Sequence, residues 1–395
     1  MKHPDTKDYL ALIRIAAEEA ANFQRRFAVE DTEAQKIVTI METYLKQSGR
    51  VVYGGAAINA YLSASNKIYD PALNLPDYDF LTPDPLQDTA DLIAEFQKEG
   101  FEEVEAKLGI HEGTYKIFVN FRPAADITYM PPSIYADIQK SSRMLDGIRC
   151  ASPDFLRMNI YLELSRPFGD QKRWEKIYGR LLLLNKEHPI QVRGRCTRSK
   201  RFQQKLFLLI KSIGIKRKAV FLSEWGLRKG VSSSSDIVLL VSDDTKPLCS
   251  DLESLGLRSK VFDALGEIMP RRTEFYKKTG HLVAVVFETV ACHAYQTYGE
   301  IRLGSVELLI TMYYSFYFVG LQKYISTPLL CTIQSLIEYE FKRIQRATKT
   351  KEQILPTTCI GHQPLLSELK RAHRKRIKEK RKEIQQLTRK TRKKT

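Results

Sequence analysis

Apolar residues recur along the chain with two periods, and the points where the period changes divide it into elements. Residues 8–24 and 32–46 carry apolar side chains at helical spacing, among them Tyr9, Leu12, Ile13, Ala16 and Ala17, then Ile37, Ile40, Met41 and Leu45, which predicts two helices packed on a sheet. Thr32 with Gln35 predicts a capping box at the second start. From residue 50 the pattern predicts a strand at 51–53, a helix from Gly54, a strand at 77–80, an amphipathic helix at 89–99, and strands at 102–107, 115–121 and 124–130. Ser152-Pro153-Asp154 opens a helix with proline at its first position. That helix turns Leu156, Ile160 and Leu164 inward and leaves Arg157, Asn159 and Tyr161 on other faces.

A second series follows. Residues 171–184 read as a helix, 218–225, 236–241 and 281–289 as strands or their flanks, and 306–321 and 335–347 as helices. The run 306–321 is apolar and aromatic, but its length and Glu307 predict a buried core helix and no membrane span. Strands interrupted by helices predict an α/β (α+β) fold with mixed sheets. The expected domains are N-terminal helices at 1–48, a catalytic unit at 49–190, a basic linker at 191–205, a second α/β domain at 206–347 and a basic tail at 348–395.

The chemistry concentrates in the first series. Val51-Val52-Tyr53-Gly54-Gly55 runs from a β-branched strand into a glycine pair and then a helix, so backbone amides and a positive dipole end are available to a phosphate. In an extended segment Asp77 and Asp79 project from one face while Tyr78 and Phe80 point into apolar packing. Asp126, on a strand that could lie beside the first, adds a third carboxylate. Three such groups repel unless divalent cations sit among them, and hard oxygen ligands near phosphate favour Mg²⁺. A lone Gly-Gly is usually a plain turn, and a lone Asp-x-Asp a solvated strand end. It is their order that carries the signal.

That order resembles the polymerase β-like nucleotidyltransferases. Closer still, residues 111–121 (HEGTYKIFVNF), 125–131 (ADITYMP) and 173–178 (RWEKIY) are similar to the poly(A) polymerase catalytic subunits of poxviruses and related large cytoplasmic DNA viruses. The resemblance covers roughly residues 50–190, and the long stretch between Gly55 and Asp77 departs from many members of the superfamily. It implies a template-independent polynucleotide adenylyltransferase that adds AMP from ATP to RNA 3′ ends in mRNA polyadenylation. It also implies two Mg²⁺ ions, with Mn²⁺ as substitute: Asp77 and Asp79 would bind both, and Asp126 the one beside the RNA 3′-hydroxyl. Gly54 and Gly55 would position the triphosphate, and Asn159 is the implied ribose contact, an exposed structural asparagine being the competing reading. The implied partners are RNA, ATP and either a second copy of the chain or a separate processivity subunit, and the implied location is the host cytoplasm (the viral factory) and the virion.

Other features add to this picture without deciding it. Lys172, Arg173, Lys176 and Arg180 recur on one helix, either closing a triphosphate cage or forming a solvated basic face. Nothing in these motifs reads a base, so a uridylyltransferase is an alternative, and a silent RNA-binding scaffold is another. The segment Asp236-Ile237-Val238-Leu239, set beside Asp77-Tyr78-Asp79-Phe80, keeps one acid and replaces the other with Val238. The second domain is then either a degenerate copy of the first or an unrelated α/β domain.

Of the net charge of +17, a surplus of 12 lies in residues 370–395, which predicts a helical or disordered tail that binds RNA. Six singly placed cysteines predict reduced thiols in an intracellular protein. Cys359-x-x-His362 has zinc-like spacing, but no second pair completes four ligands.

Overall fold

The structure, a computed structural model, describes residues 6–70, 72–109, 113–192, 194–196, 204–223, 237–289, 291–350, 354–365, 367–375 and 377–379. His111, Glu112, Asp236, linker positions 193 and 197–203, and tail residues 380–395 lie outside this set. The chain divides into two compact units, Met1–Met130 with Ile138–Ser152, and Pro131–Asp137 with Pro153–Thr395.

The first unit contains helices α1 (Thr6–Glu30) and α2 (Thr32–Ser48), then β1 (Val51–Tyr53), α3 (Gly54–Tyr61), β2 (Tyr78–Thr82), α4 (Pro85–Lys98), β3 (Val104–Leu108), β4 (Thr114–Val119) and β5 (Arg122–Tyr129). Helix α5 (Pro132–Ser141) leads to β6 (Arg143–Leu145) and β7 (Ile148–Cys150). Seven strands form one mixed sheet in the order β3-β4-β5-β2-β1-β7-β6. Strand alternation decides which face is covered: Phe80, Ile117 and Ile127 are wholly buried together with Leu92 and Phe96 of α4, and Tyr44 of α2 packs its ring on Phe80. Each such side chain contributes about 2 kcal/mol by leaving water. The opposite face carries Asp79 and Asp126, both half-buried.

Two expectations about the N-terminal helices are corrected. The cap of α2 is Asp31, whose carboxylate accepts from the amides of Glu33 (2.9 Å) and Ala34 (3.3 Å) and pairs with Arg122 (2.5 Å). Thr32 is already helical, and the Gln35 amide donates to the Val29 carbonyl. A carboxylate offers more acceptor capacity than a hydroxyl, and it wins the position. Helix α1 does not pack on the sheet: its Leu12 and Ile13 are 63% and 67% exposed. The apolar face it would have covered is taken by α2 and α4.

The second unit contains α6 (Pro153–Leu164), α7 (Trp174–Glu187), α8 (Gln204–Lys216), β8 (Val220–Phe221), β9 (Val238–Ser242), α9 (Thr245–Glu253), β10 (Arg258–Phe262), β11 (Arg272–Tyr276), β12 (Leu282–Glu288), β13 (His293–Tyr298), β14 (Ile301–Gly304), α10 (Val306–Phe318), α11 (Leu329–Thr350) and β15 (Cys359–Ile360). Residues 367–375 of the tail are helical. Helices α6 and α7, which the sequence groups with residues 49–190, sit in this unit, because α6 packs between α7 and α10. That burial extends all round: Arg157 and Tyr161, on other faces of the helix, are as buried as Leu156, Ile160 and Leu164. Arg157 is compensated by Asp154 (2.8 Å) and Asn185 (2.6 Å).

The second sheet runs β10-β11-β12-β9-β8-β14-β13-β15 and repeats the order of the first over seven strands, with β15 added at one edge. In both, two strands pair antiparallel, a helix follows, and an antiparallel pair returns a fifth strand parallel to the second. The register aligns the two copies. Thr82 and Ser242 each end their strand and use a hydroxyl on the backbone of the residue two positions later. Asp79 lies opposite Asp126 as Leu239 lies opposite Val285. The acid positions Asp77, Asp79 and Asp126 therefore correspond to Ile237, Leu239 and Val285.

This corrects the sequence pairing of Asp236 and Val238 with Asp77 and Asp79, which is one residue out of step. Shifting a strand by one residue turns its side chains to the other face, and Val238 packs with Leu240, Ala284 and Val286 beneath α8 and α9. The face equivalent to the acid face is a core: Phe287 stacks on Phe316 of α10 (5.6 Å between centroids), and Tyr324 packs edge-on against Phe316.

A buried carboxylate pair ties α10 to α11. Glu307 receives Arg343 (2.6 Å), and Glu340 receives the Tyr161 hydroxyl (2.5 Å). Burial, then the neighbouring Glu307 charge, pushes the Glu340 carboxyl up to about 8, with Tyr161 and Arg343 opposing. The folded state thus holds a proton that the unfolded chain releases near its ordinary value. This contribution is complete in acid and is lost as pH rises towards about 8. Glu340→Gln should flatten that decline, raising stability at pH 8.5 by about 1–3 kcal/mol while changing it little at pH 5. Thermal melts at both values check this.

The cysteine reading is also corrected. Disulfides join Cys196 to Cys331 and Cys292 to Cys359, with Cα–Cα separations of 5.7 and 5.3 Å across 135 and 67 residues of sequence. Cysteines far apart in sequence have no spacing signature, and the fold brings them together. Cys359 is committed to this bond, and the ring of His362 meets Glu368.

Candidate nucleotidyl-transfer site

Strand β1 ends at Tyr53, and the chain turns into α3 at Gly54 with φ +71°. No side chain caps this helix start. A Cβ on Gly54 would stand 2.6 Å from Oδ2 of Asp79, so the left-handed backbone and the near approach of a carboxylate both require glycine here. Gly55 follows in the first helical turn. At the far end of α3, the Asn59 side chain accepts from the amides of Ile68 (2.9 Å) and Tyr69 (3.2 Å). This pins the long stretch that departs from the superfamily pattern.

The sheet register sets the remaining groups in one row. Tyr53 lies opposite Asp79, Asp79 opposite Asp126, Asp126 opposite Lys116, and Lys116 opposite Lys107. Cross-strand partners share a face, so two carboxylates and two ammonium groups stand side by side on one face of the sheet. The Lys116 ammonium donates to Asp126 Oδ2. Behind them the Tyr53 hydroxyl meets Thr128 Oγ1 at 3.1 Å. Asp77 is exposed, just before β2 and two residues from Asp79.

The structure therefore brings Asp79, Asp126 and Gly54 together and sets Asp77 at their edge. Oxygen donors of this kind fit Mg²⁺ or Mn²⁺, and one of them already holds a cation, the lysine ammonium. As the side chains stand, no three carboxylate, histidine or cysteine groups among the described residues converge on a single point, since Asp126 is turned to Lys116. The thiol of Cys150 on β7 is pushed up to about 12 by burial and supplies no nucleophile.

Asn159, Lys176 and Arg180 belong to the second unit. Asn159 is half-buried on α6, with its Nδ2 buried and lacking a hydrogen-bond partner. Lys176 is exposed and Arg180 half-buried on α7. Sequence reasoning gave Lys116 no role. It stands inside the motif at 111–121, and its alternation with Thr114 and Phe118 was the available signal, but only the register shows that it faces Asp126.

Comparison with known proteins follows the same segment. Residues 39–170 match the family described as poly(A) polymerase catalytic subunit. A protein of Acanthamoeba polyphaga mimivirus, assigned as a poly(A) polymerase catalytic subunit, is 34% identical over 163 residues, 40% of this chain and 27% of the relative. A counterpart from African swine fever virus is 26% identical over 166 residues, 40% of this chain and 34% of the relative. The matches thus span about a third or less of these relatives' length. The crystal structure of the Megavirus polyadenylate synthase shares the fold, with a TM-score of 0.79 at 20% identity, over 97% of this chain and 84% of that one. The resemblance carried by the motifs and the α/β architecture are both borne out. No helix among the described residues is long and apolar enough to cross a membrane.

Proposed function

We propose that the chain is a template-independent polynucleotide adenylyltransferase that adds AMP from ATP to RNA 3′ ends. The observation that carries this reading is the opposition of Asp79 and Asp126 on parallel strands, with the Gly54 turn against the Asp79 carboxylate. Asp77, Asp79 and Asp126 would hold two divalent ions. When bound, these supply a lowered pKa at the RNA 3′-hydroxyl and charge neutralisation of the departing pyrophosphate.

The protein's own groups do the positioning. The Gly54–Gly55 turn presents backbone amides and the start of α3 to the triphosphate. The adjacent strands of a sheet whose other face is packed fix the backbone of both carboxylates, so that only the Asp126 side chain, held by Lys116, has to turn towards an ion. Asn159 for the ribose, and Lys176 and Arg180 for the phosphates, are the nucleotide contacts proposed on the second unit's own helices. RNA extension by the purified chain, with each of the four nucleotides supplied separately, tests the reading. Preference for UTP would make it a uridylyltransferase, and RNA binding without addition a scaffold.

The basic tail is proposed to retain RNA between additions. Deleting residues 370–395 should flatten the salt dependence of RNA affinity, since fewer phosphates are neutralised. It should shorten tails, and single-turnover addition at saturating RNA should keep its rate. Affinity at two salt concentrations beside a single-turnover assay checks this, and an unchanged salt slope would assign the RNA path elsewhere. A second copy or a processivity subunit remains the proposed partner, which sizing of the purified chain distinguishes. The host cytoplasm and the virion are the proposed locations.

A further inference from the structure

The two copies within this chain allow residues needed by the fold to be separated from residues needed by the site. The row across the first sheet reads Lys107, Lys116, Asp126, Asp79, Tyr53, and the equivalent row of the second reads Lys260, Glu274, Val285, Leu239, Leu222. Lysine persists at the first position. At the second, the cation vanishes together with both carboxylates, and a glutamate takes its place. Glu274 is wholly buried and receives Lys323, Tyr276 and Tyr324. Burial works against its charge, but those hydrogen bonds outweigh it and hold the carboxyl below its ordinary value. The same strand pairing therefore forms without a lysine at that register. A lysine at this register is not a requirement of the strand pairing, and of the two sheets it stands only in the one that carries the acids.

Its position limits what it could contact. Strands are spaced about 4.8 Å apart, so Lys116 stands one strand beyond Asp126 and two beyond Asp79, on the side away from Gly54. On the proposed activity, on which this inference rests, the triphosphate lies at Gly54, and the attacking and leaving oxygens must be in line across the acids. The acceptor then approaches from the Lys116 side. Its nearest negative charge is the phosphodiester joining its last two nucleotides.

We propose that Lys116 is an acceptor-binding residue that holds this terminal phosphodiester, and that its bond to Asp126 is the resting arrangement. With 41% of its side chain exposed, the lysine is open to an incoming phosphate. A compact ammonium serves a single phosphate oxygen without a fixed fork geometry.

The test pairs a protein change with an RNA change. Wild type, Lys116→Met, Lys116→Arg and Lys107→Met are each assayed with an RNA primer and with the same primer carrying a neutral methylphosphonate at its last linkage. Primer affinity is read by fluorescence anisotropy without ATP, and KM values for primer and ATP are read by extension. Wild type should lose about tenfold in primer affinity and KM on neutralisation of that linkage. Lys116→Met should show the same tenfold loss with ordinary RNA and none further with the neutral linkage, and KM for ATP should be unchanged. Lys116→Arg should retain most of the wild-type response, and Lys107→Met all of it.

A Lys116→Met protein that still responds tenfold to the neutral linkage overturns the proposal, as does a rise confined to KM for ATP. If wild type adds no AMP, the proposed activity fails, and the anisotropy cycle still decides whether Lys116 and the terminal phosphate are coupled.

Discussion

Asp79→Asn and Asp126→Asn should each lower AMP addition by about 10³-fold or more while leaving RNA affinity and melting temperature close to wild type. Asn keeps the shape of each side chain and one of its oxygens but removes the charge that a divalent ion requires. At 1.4 kcal/mol per factor of ten, the loss corresponds to about 4 kcal/mol of transition-state stabilisation. Both side chains are half-buried, where removing a charge costs the fold little, and RNA affinity rests on cations spread over the surface. Single-turnover extension beside equilibrium RNA binding separates the two effects. Asp77→Asn should behave likewise. A well-folded variant of Asp79 or Asp126 that extends RNA at the wild-type rate would remove the acids from the mechanism.

Gly54→Ala should lower AMP addition about 10²-fold with only a modest loss of stability. An alanine held at φ +71° costs about 1–2 kcal/mol of backbone strain. The added Cβ, 2.6 Å from Asp79 Oδ2, must also displace that carboxylate. The displaced atom is a side-chain oxygen and not backbone, so the larger cost falls on the site, because small misplacements of reacting groups cost orders of magnitude. Gly49 is the control. It has φ +60° and open space where a Cβ would stand, so Gly49→Ala should show similar destabilisation without the catalytic loss. Equal activity losses at Gly49 and Gly54 would attribute the effect to backbone strain alone.

How much was legible in the sequence follows from how many faces of each element are buried. In β2 burial alternates over Tyr78-Asp79-Phe80 before Leu81 and Thr82 close both faces, so the facing direction of the acid can be read. β9 is buried on both faces, its five residues are all buried, and nothing in residues 237–241 marks the register. The one-residue error at Asp236 and Val238 followed from that. The same holds for α6, whose Arg157 and Tyr161 look like surface residues until α7 and α10 enclose them. Lys116 was visible within a motif, but facing Asp126 is a property of strand register and not of spacing. The α2 cap was missed by one residue because Asp31 and Thr32 are both good capping residues. The disulfides depend on tertiary proximity alone.

The central claim is that the acid row at Asp79 and Asp126 transfers adenylate to RNA, and one measurement bears on it most directly. The purified chain is incubated with Mg²⁺ and a 3′-hydroxyl RNA in four reactions, each containing a single nucleoside triphosphate, with Asp79→Asn run in parallel. The account predicts growth of the RNA in the ATP reaction with stoichiometric pyrophosphate release, little or none in the others, and none in any reaction of the variant. Growth with UTP in preference to ATP, or equal growth by wild type and Asp79→Asn, would contradict it.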